Sequence, residues 1–148
     1  MKKQSWDFEN PHIIDIEVKN KHIDVVGHVN NVVYLRWLER VAWNHSEKLG
    51  MDWQAYEREG KAMVARRHEL DYLAAAFEGD RLKVATWIIE NDKKVSLLRA
   101  YQIIRESDGV ILMRARTRWV CMNIQSGKAS RMPESFVEAY RPSIESIC

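Results

Sequence analysis

The chain has 148 residues, of which 46% are hydrophobic and 30% charged, the balance of a soluble globular protein with enough apolar surface for one core. A formal net charge of +2 is too small to make nucleic acid an expected partner, and no apolar run approaches the ~20 residues of a membrane span. The N-terminal MKKQSWDFENPH has no apolar h-region, and Cys121 and Cys148 do not make a disulfide framework, so one domain over residues 1–148 in the reducing cytoplasm is expected.

Residues 11–20, PHIIDIEVKN, alternate apolar and polar through Ile14, Ile16 and Val18, the period of a half-buried strand. Next comes HIDVVGHVNN, residues 22–31, which gathers one carboxylate, two histidines, a glycine and two asparagines around three valines. From Asn30 the period changes. Tyr34, Leu38, Val41, His45 and Leu49 recur at spacings of three and four, predicting a helix of about five turns, capped by Asn30 or Asn31 and ended by Gly50. A short helix over 53–58 follows, capped by Asp52 and stopped near Gly60.

From about residue 62 to 125 the pattern is that of four antiparallel strands in succession. MVARRHELDYLA, RLKVATWII, VSLLRAYQIIR and VILMRARTRWVCMNI are separated by FEGD, ENDKK and ESDG, which supply the Gly, Asn and Asp that turns need. In the last strand Ile111, Met113, Ala115, Thr117, Trp119 and Cys121 share one face, which packs; Arg114, Arg116 and Arg118 share the other, which meets solvent or acids. PESFVEAY predicts a short terminal helix. One strand, one long helix and a meander make an α+β domain with the helix laid across a sheet face.

The pattern D-x-x-G-H-V-N-N-x-x-Y-L, carried by Asp24, Gly27, His28, Val29, Asn30, Asn31, Tyr34 and Leu35, resembles the hotdog-fold acyl thioesterases of the 4-hydroxybenzoyl-CoA thioesterase type, with kinship to plant acyl-ACP thioesterases. LERVAW, FEGDRLKV and TRWVCMNIQSGKASRMP extend the likeness across most of the chain. The resemblance implies a long central helix wrapped by a curved antiparallel sheet of five or six strands, paired into a homodimer or homotetramer with sites at the subunit boundary. It implies hydrolysis of acyl-CoA or acyl-ACP without a cofactor, with Asp24 as the catalytic carboxylate and the backbone N–H of Asn31 on the thioester carbonyl. His28 matches a histidine proposed to assist in the plant branch, although Val26 stands where that branch has an asparagine. His22 stands where many members carry a second aspartate.

The chemistry is sensible on its own terms. A thiolate leaves readily, its thiol having a pKa of about 8.5, so cleavage needs only an attacker and an electrophilic contact. Asp24 can act as general base toward water or attack the carbonyl to give a mixed anhydride. A helix start offers unpaired N–H groups and partial positive charge to an oxyanion. Gly27 lets backbone and substrate approach closely, and Tyr34 is a candidate pocket wall. Arg66, Arg67, Lys128 and Arg131 are candidates for holding the phosphates of CoA.

Plainer roles compete: caps for the asparagines, core for Tyr34 and Trp37, surface charge for the basic residues. The five histidines show no close-spaced ligand pattern, so no metal is expected. The apolar strand-face neighbours of Cys121 argue against a nucleophilic thiol. Two other functions fit the same elements. An enoyl-thioester hydratase or dehydratase would use Asp24 and His28 for proton transfer, changing enoyl absorbance without releasing thiol. A non-catalytic acyl-CoA-binding protein would bind without turnover.

Overall fold

The fold grows outward from one amphipathic helix. In the computed structural model, which describes residues 5–143, this helix, α1 (Asn31–Lys48), turns Val33, Tyr34, Trp37, Leu38, Val41, Ala42, His45 and Ser46 inward. That is the predicted stripe widened by its three- and four-residue neighbours. Asn30 caps the helix, its side chain accepting the Val32 N–H at 3.0 Å, and Gly50 beyond the last turn has φ +86°. The second helix, α2 (Trp53–Glu59), is capped by Asp52 through the Ala55 N–H at 2.9 Å and closed by Gly60 in the left-handed conformation. A short α3 (Glu134–Ala139) lies near the C-terminus.

Five strands form one antiparallel sheet: β1 (His12–Glu17), β2 (Lys61–Tyr72), β3 (Arg81–Asn91), β4 (Ser96–Arg105) and β5 (Ile111–Asn123), in the spatial order β1-β3-β4-β5-β2. The meander holds from β3 to β5. It does not include β2 as a neighbour of β3, because β3 is already paired on both sides, by β1 in the register His12↔Thr86 and by β4. β2 crosses instead to the far edge, beside β5, with Lys61 opposite Asn123. Register shifts at Ala65/Arg67, Ile88/Glu90 and Ile103/Ile104 bend the strands, so that the sheet curls around α1. This curved sheet around a central helix is the hotdog arrangement implied by the motif.

The concave face joins Ile16, Val18, Leu82, Val84, Tyr101, Ile103, Met113 and Ala115 to the inner stripe of α1 in the main core. A second cluster fills the end formed by α2, α3 and the tips of β3–β5 around Tyr56, Ile88, Cys121, Phe136 and Tyr140. On β5 the expected division holds: Met113, Ala115, Thr117 and Cys121 are buried, while Arg114 and Arg116 are exposed. The convex side is not wet throughout, however. Trp6 and Phe8 pack edge-on against Trp87, with ring centroids 6.1 and 5.4 Å away, covering Ala85 and Ala100. Arg114 grips Asp7 through two bonds of 2.7 and 3.1 Å, fastening the same N-terminal segment.

Leu38, at the centre of the α1 contact, is fully buried. Leu38→Ala is expected to lower unfolding free energy by about 2–5 kcal/mol in urea titration, the range for a truncated core leucine. Arg116→Ala, on the exposed face, is expected to change it by less than about 0.5 kcal/mol.

Candidate functional site

The polar stretch before α1 forms a small tongue, and local hydrogen bonds explain its shape. After the 3₁₀ turn Asn20–His22, Ile23 and Val29 pair as an isolated antiparallel bridge, leaving residues 24–28 as the tip. The Asp24 N–H donates to the His28 carbonyl at 2.9 Å, and the Gly27 N–H donates back to the Asp24 carbonyl at 3.1 Å. Gly27 sits at φ +91°, a conformation that a side chain would strain. The tongue is tied down where it meets α1, with the Asn30 N–H donating to the His22 carbonyl at 2.9 Å and Val29 N–H to the Ala76 carbonyl at 3.1 Å.

Asp24 is thus tied by hydrogen bonds to the segment that opens α1, seven residues before Asn31. One carboxylate oxygen of Asp24, Oδ1, accepts the Val26 N–H at 2.9 Å, which fixes the carboxylate's orientation; Oδ2 has no partner among the described residues. At the helix start Asn30 satisfies Val32 N–H with its side chain and Val33 N–H with its carbonyl. The Asn31 N–H has no acceptor among the described residues, while its carbonyl accepts the Tyr72 hydroxyl at 3.1 Å. An open anionic oxygen and an open backbone donor therefore share one end of the fold.

The other motif residues surround this pair unequally. His28 is exposed and stands edge-on to Phe77, with ring centroids 5.2 Å apart. Tyr34 is a core residue whose hydroxyl accepts the Ala76 N–H at 3.1 Å; burial raises its phenol pKa. His22 accepts the Lys19 N–H at 2.9 Å and meets the edge of Trp37; burial, then Lys21 and Lys19, lower its pKa. The rim is apolar: Val25 is fully exposed, Val26 is 71% exposed, and Val32, Tyr72, Leu73 and Phe77 are exposed as well.

The basic candidates are not gathered here within one chain. Arg66 is the extra residue at the β2 bulge, and the neighbouring Arg67 pairs with Glu69 at 3.0 Å on the exposed surface. Lys128 lies in the turn after β5, and the Arg131 carbonyl accepts from Lys61 Nζ at 2.8 Å. Lys61 opens β2 and Tyr72 closes it, so Lys128 and Arg131 lie at the opposite end of the strand, roughly 36 Å along it from the helix start.

A second polar cluster, beneath the C-terminal half of α1, is one that motif reading passes over. Arg99 of β4 is 2% exposed and donates to His45 Nδ1 at 2.9 Å, Thr86 Oγ1 at 3.2 Å and Ser46 Oγ at 3.4 Å. Ser46 Oγ also accepts from the Tyr140 hydroxyl at 3.1 Å, and that hydroxyl is itself paired with Tyr56. The guanidinium has no acceptor lone pair, so His45 must present a bare Nδ1 and be neutral. Burial, then the Arg99 charge, then His12 and Lys48 push its pKa down to about 3; His12 stacks on it at 4.7 Å. The one signal in the sequence was an arginine inside the apolar run SLLRAYQII. Cys121 is wholly buried, and burial raises its thiol pKa, against a nucleophilic role. Among the described residues no group of three His, Cys, Asp or Glu side chains is placed to hold a metal, and no helix is long and apolar enough to cross a membrane.

Comparison with known proteins gives a consistent set of relatives. The family model of the thioesterase-like superfamily matches residues 18–140. The long-chain acyl-CoA thioesterase FadM of Escherichia coli (strain K12) is 28% identical over 114 residues, covering 77% of this chain and 85% of that protein. Among solved structures, a 1,4-dihydroxy-2-naphthoyl-CoA thioesterase from Synechocystis superposes with a TM-score of 0.78 at 21% identity, covering 88% of this chain and 96% of its own. The protein TT1821 of Thermus thermophilus gives 0.77 at 27% identity, covering 87% and 96%.

The His45 environment has a pH consequence. Unfolded, this histidine binds a proton near pH 6.5; folded, it resists until about pH 3. The unfolded state therefore takes up protons first, and stability falls as pH drops from 6.5 toward 3, by at most about 1.4 kcal/mol per pH unit from this group. Thermal unfolding of His45→Gln from pH 7 to 4 is expected to give a shallower loss than the parent chain.

Proposed function

The chain belongs to the thioesterase-like superfamily and is a thioester hydrolase, and from that premise we propose that it hydrolyses acyl-CoA with Asp24 as base or nucleophile and the Asn31 N–H as oxyanion donor. One observation supports this assignment: Asp24 Oδ2 and the Asn31 N–H, both without partners among the described residues, belong to the same short hydrogen-bonded segment leading into α1. The carbonyl oxygen of the thioester takes the N–H, where the helix dipole favours developing negative charge. Asp24 then draws a proton from water as it attacks, or adds to the carbonyl and is released by water. The thiolate departs without a strong general acid, so His28 is needed only to shape the tip or relay a proton.

Assembly supplies what one protomer lacks. β2 is an edge strand of 12 residues with one side unpaired, and the apolar rim of the tongue lies at its Tyr72 end. We propose a homodimer, or a tetramer built from it, in which two β2 edges pair antiparallel. Antiparallel pairing sets the Lys61 end of one strand beside the Tyr72 end of the other. Lys128 and Arg131 of one protomer then approach the helix start of its neighbour, a position suited to the phosphates of CoA. Acyl carrier protein is the alternative carrier, to be compared in the same assay.

Asp24→Asn is expected to reduce kcat about 10²–10⁴-fold with little change in acyl-CoA affinity, followed as thiol release across a panel of acyl chain lengths. A kcat near that of the parent chain would reject Asp24. Replacing Lys128 and Arg131 by alanine together is expected to raise KM for acyl-CoA several-fold at nearly constant kcat, as for groups that bind ground and transition states alike. Light scattering that finds an active monomer would reject the shared site.

A further inference from the structure

We propose that the cavity beneath the C-terminal half of α1 is a binding site for a small monovalent anion, a halide or a carboxylate, held by Arg99 and Ser46. The cavity measures ≈ 30 Å³ and is lined by these two residues with Tyr140, Trp43, Met63 and Trp119. That is room for about two waters or one compact anion.

Three facts about Arg99 converge on a missing negative partner. It is buried, and a guanidinium keeps its charge in any accessible pH range. All three of its hydrogen-bond partners, His45, Thr86 and Ser46, are neutral, and no carboxylate pairs with it among the described residues. Of its five N–H donors three have acceptors; the Nε–H, sealed from the cavity, has none among the described residues. Buried cations ordinarily have a counter-charge, because desolvation is otherwise uncompensated.

Ser46 adds a second donor. Its Oγ lies within hydrogen-bond reach of the Arg99 guanidinium at 3.4 Å and of the Tyr140 hydroxyl at 3.1 Å. A full positive charge with donors to spare, and a hydroxyl that can turn its proton, thus line one small space. A cation is excluded by charge. The anion is a free ion, and the inference does not depend on the thioester reading.

The test is thermal unfolding of the whole chain at fixed pH and ionic strength, with gluconate, too large for the cavity, exchanged for bromide, chloride or formate. A saturable rise in Tm of about 2–4 °C with the small anions is expected, together with an anomalous-scattering peak beside the Arg99 guanidinium in bromide-soaked crystals. Arg99→Met is expected to abolish the anion dependence; should that variant not fold, the bromide peak in the parent chain still decides. A Tm indifferent to anion identity and no bromide at Arg99 would together overturn the proposal, leaving the hydrolytic assignment at Asp24 untouched.

Discussion

The arrangement at the helix start hangs on a single residue, Ala76. Its N–H donates to the Tyr34 hydroxyl and its carbonyl accepts from Val29 N–H, both at 3.1 Å, and its side chain is 0% exposed. The two amides on either side of this buried residue thus join the connection between β2 and β3, the first turn of α1 and the base of the Asp24 tongue. The connection is itself clamped from β4. Arg105 donates to the Ala75 carbonyl at 3.1 Å and to Asp80 Oδ2 at 3.0 Å, with both ion-pair partners largely shielded from water. A half-buried ion pair with good geometry holds position better than a surface pair, because neither side chain is free to wander. Tyr34 holds the Ala76 N–H from inside the core.

What was legible in the sequence was what local chemistry decides. Asn30, Asp52 and Gly60 place helix ends because capping is settled within a few residues. The stripe from Tyr34 to His45 gives the buried face of α1, and the turns around Gly79 and Gly109 fall where glycine takes positive φ. Asp24 and Gly27 could be singled out because the tongue is a contiguous turn. Long-range choices were not legible. Nothing within MVARRHELDYLA says that it pairs with β5 rather than β3, since either edge satisfies the same alternation. The packing of Trp6 and Phe8 on Trp87 joins residues distant in the chain, and so does the Arg99 cluster, assembled from β3, β4, α1 and the segment after α3. The separation of Lys128 and Arg131 from the tongue follows from the β2 crossing and was hidden with it.

The two ends of α1 use polarity in opposite ways. At the start, the polar groups are largely backbone, exposed and partly unpaired, the state in which they can exchange partners with an incoming carbonyl. Toward the other end they are side chains sunk below the surface, where each hydrogen bond is stronger and each missing one more costly. The first tolerates change of the exposed Val25 and Val26 more readily than change of its supports. In the second, loss of any member strands the rest.

The N-terminal segment bears on the order in which the chain folds. Its bonds span long stretches of sequence: the Asp7 N–H meets Gln102, 95 residues away, and the Asp7 carboxylate meets Arg114, 107 residues away. Closing loops of that size carries a large entropy penalty. Trp6, Phe8 and Asp7 also need β3, β4 and β5 already side by side, since their partners lie on all three. The segment therefore settles last, onto a finished sheet, and the Trp87 indole remains open to water until it does. A chain trimmed of residues 5–8 carries that apolar patch uncovered, an invitation to association that leaves the helix-start turn itself intact.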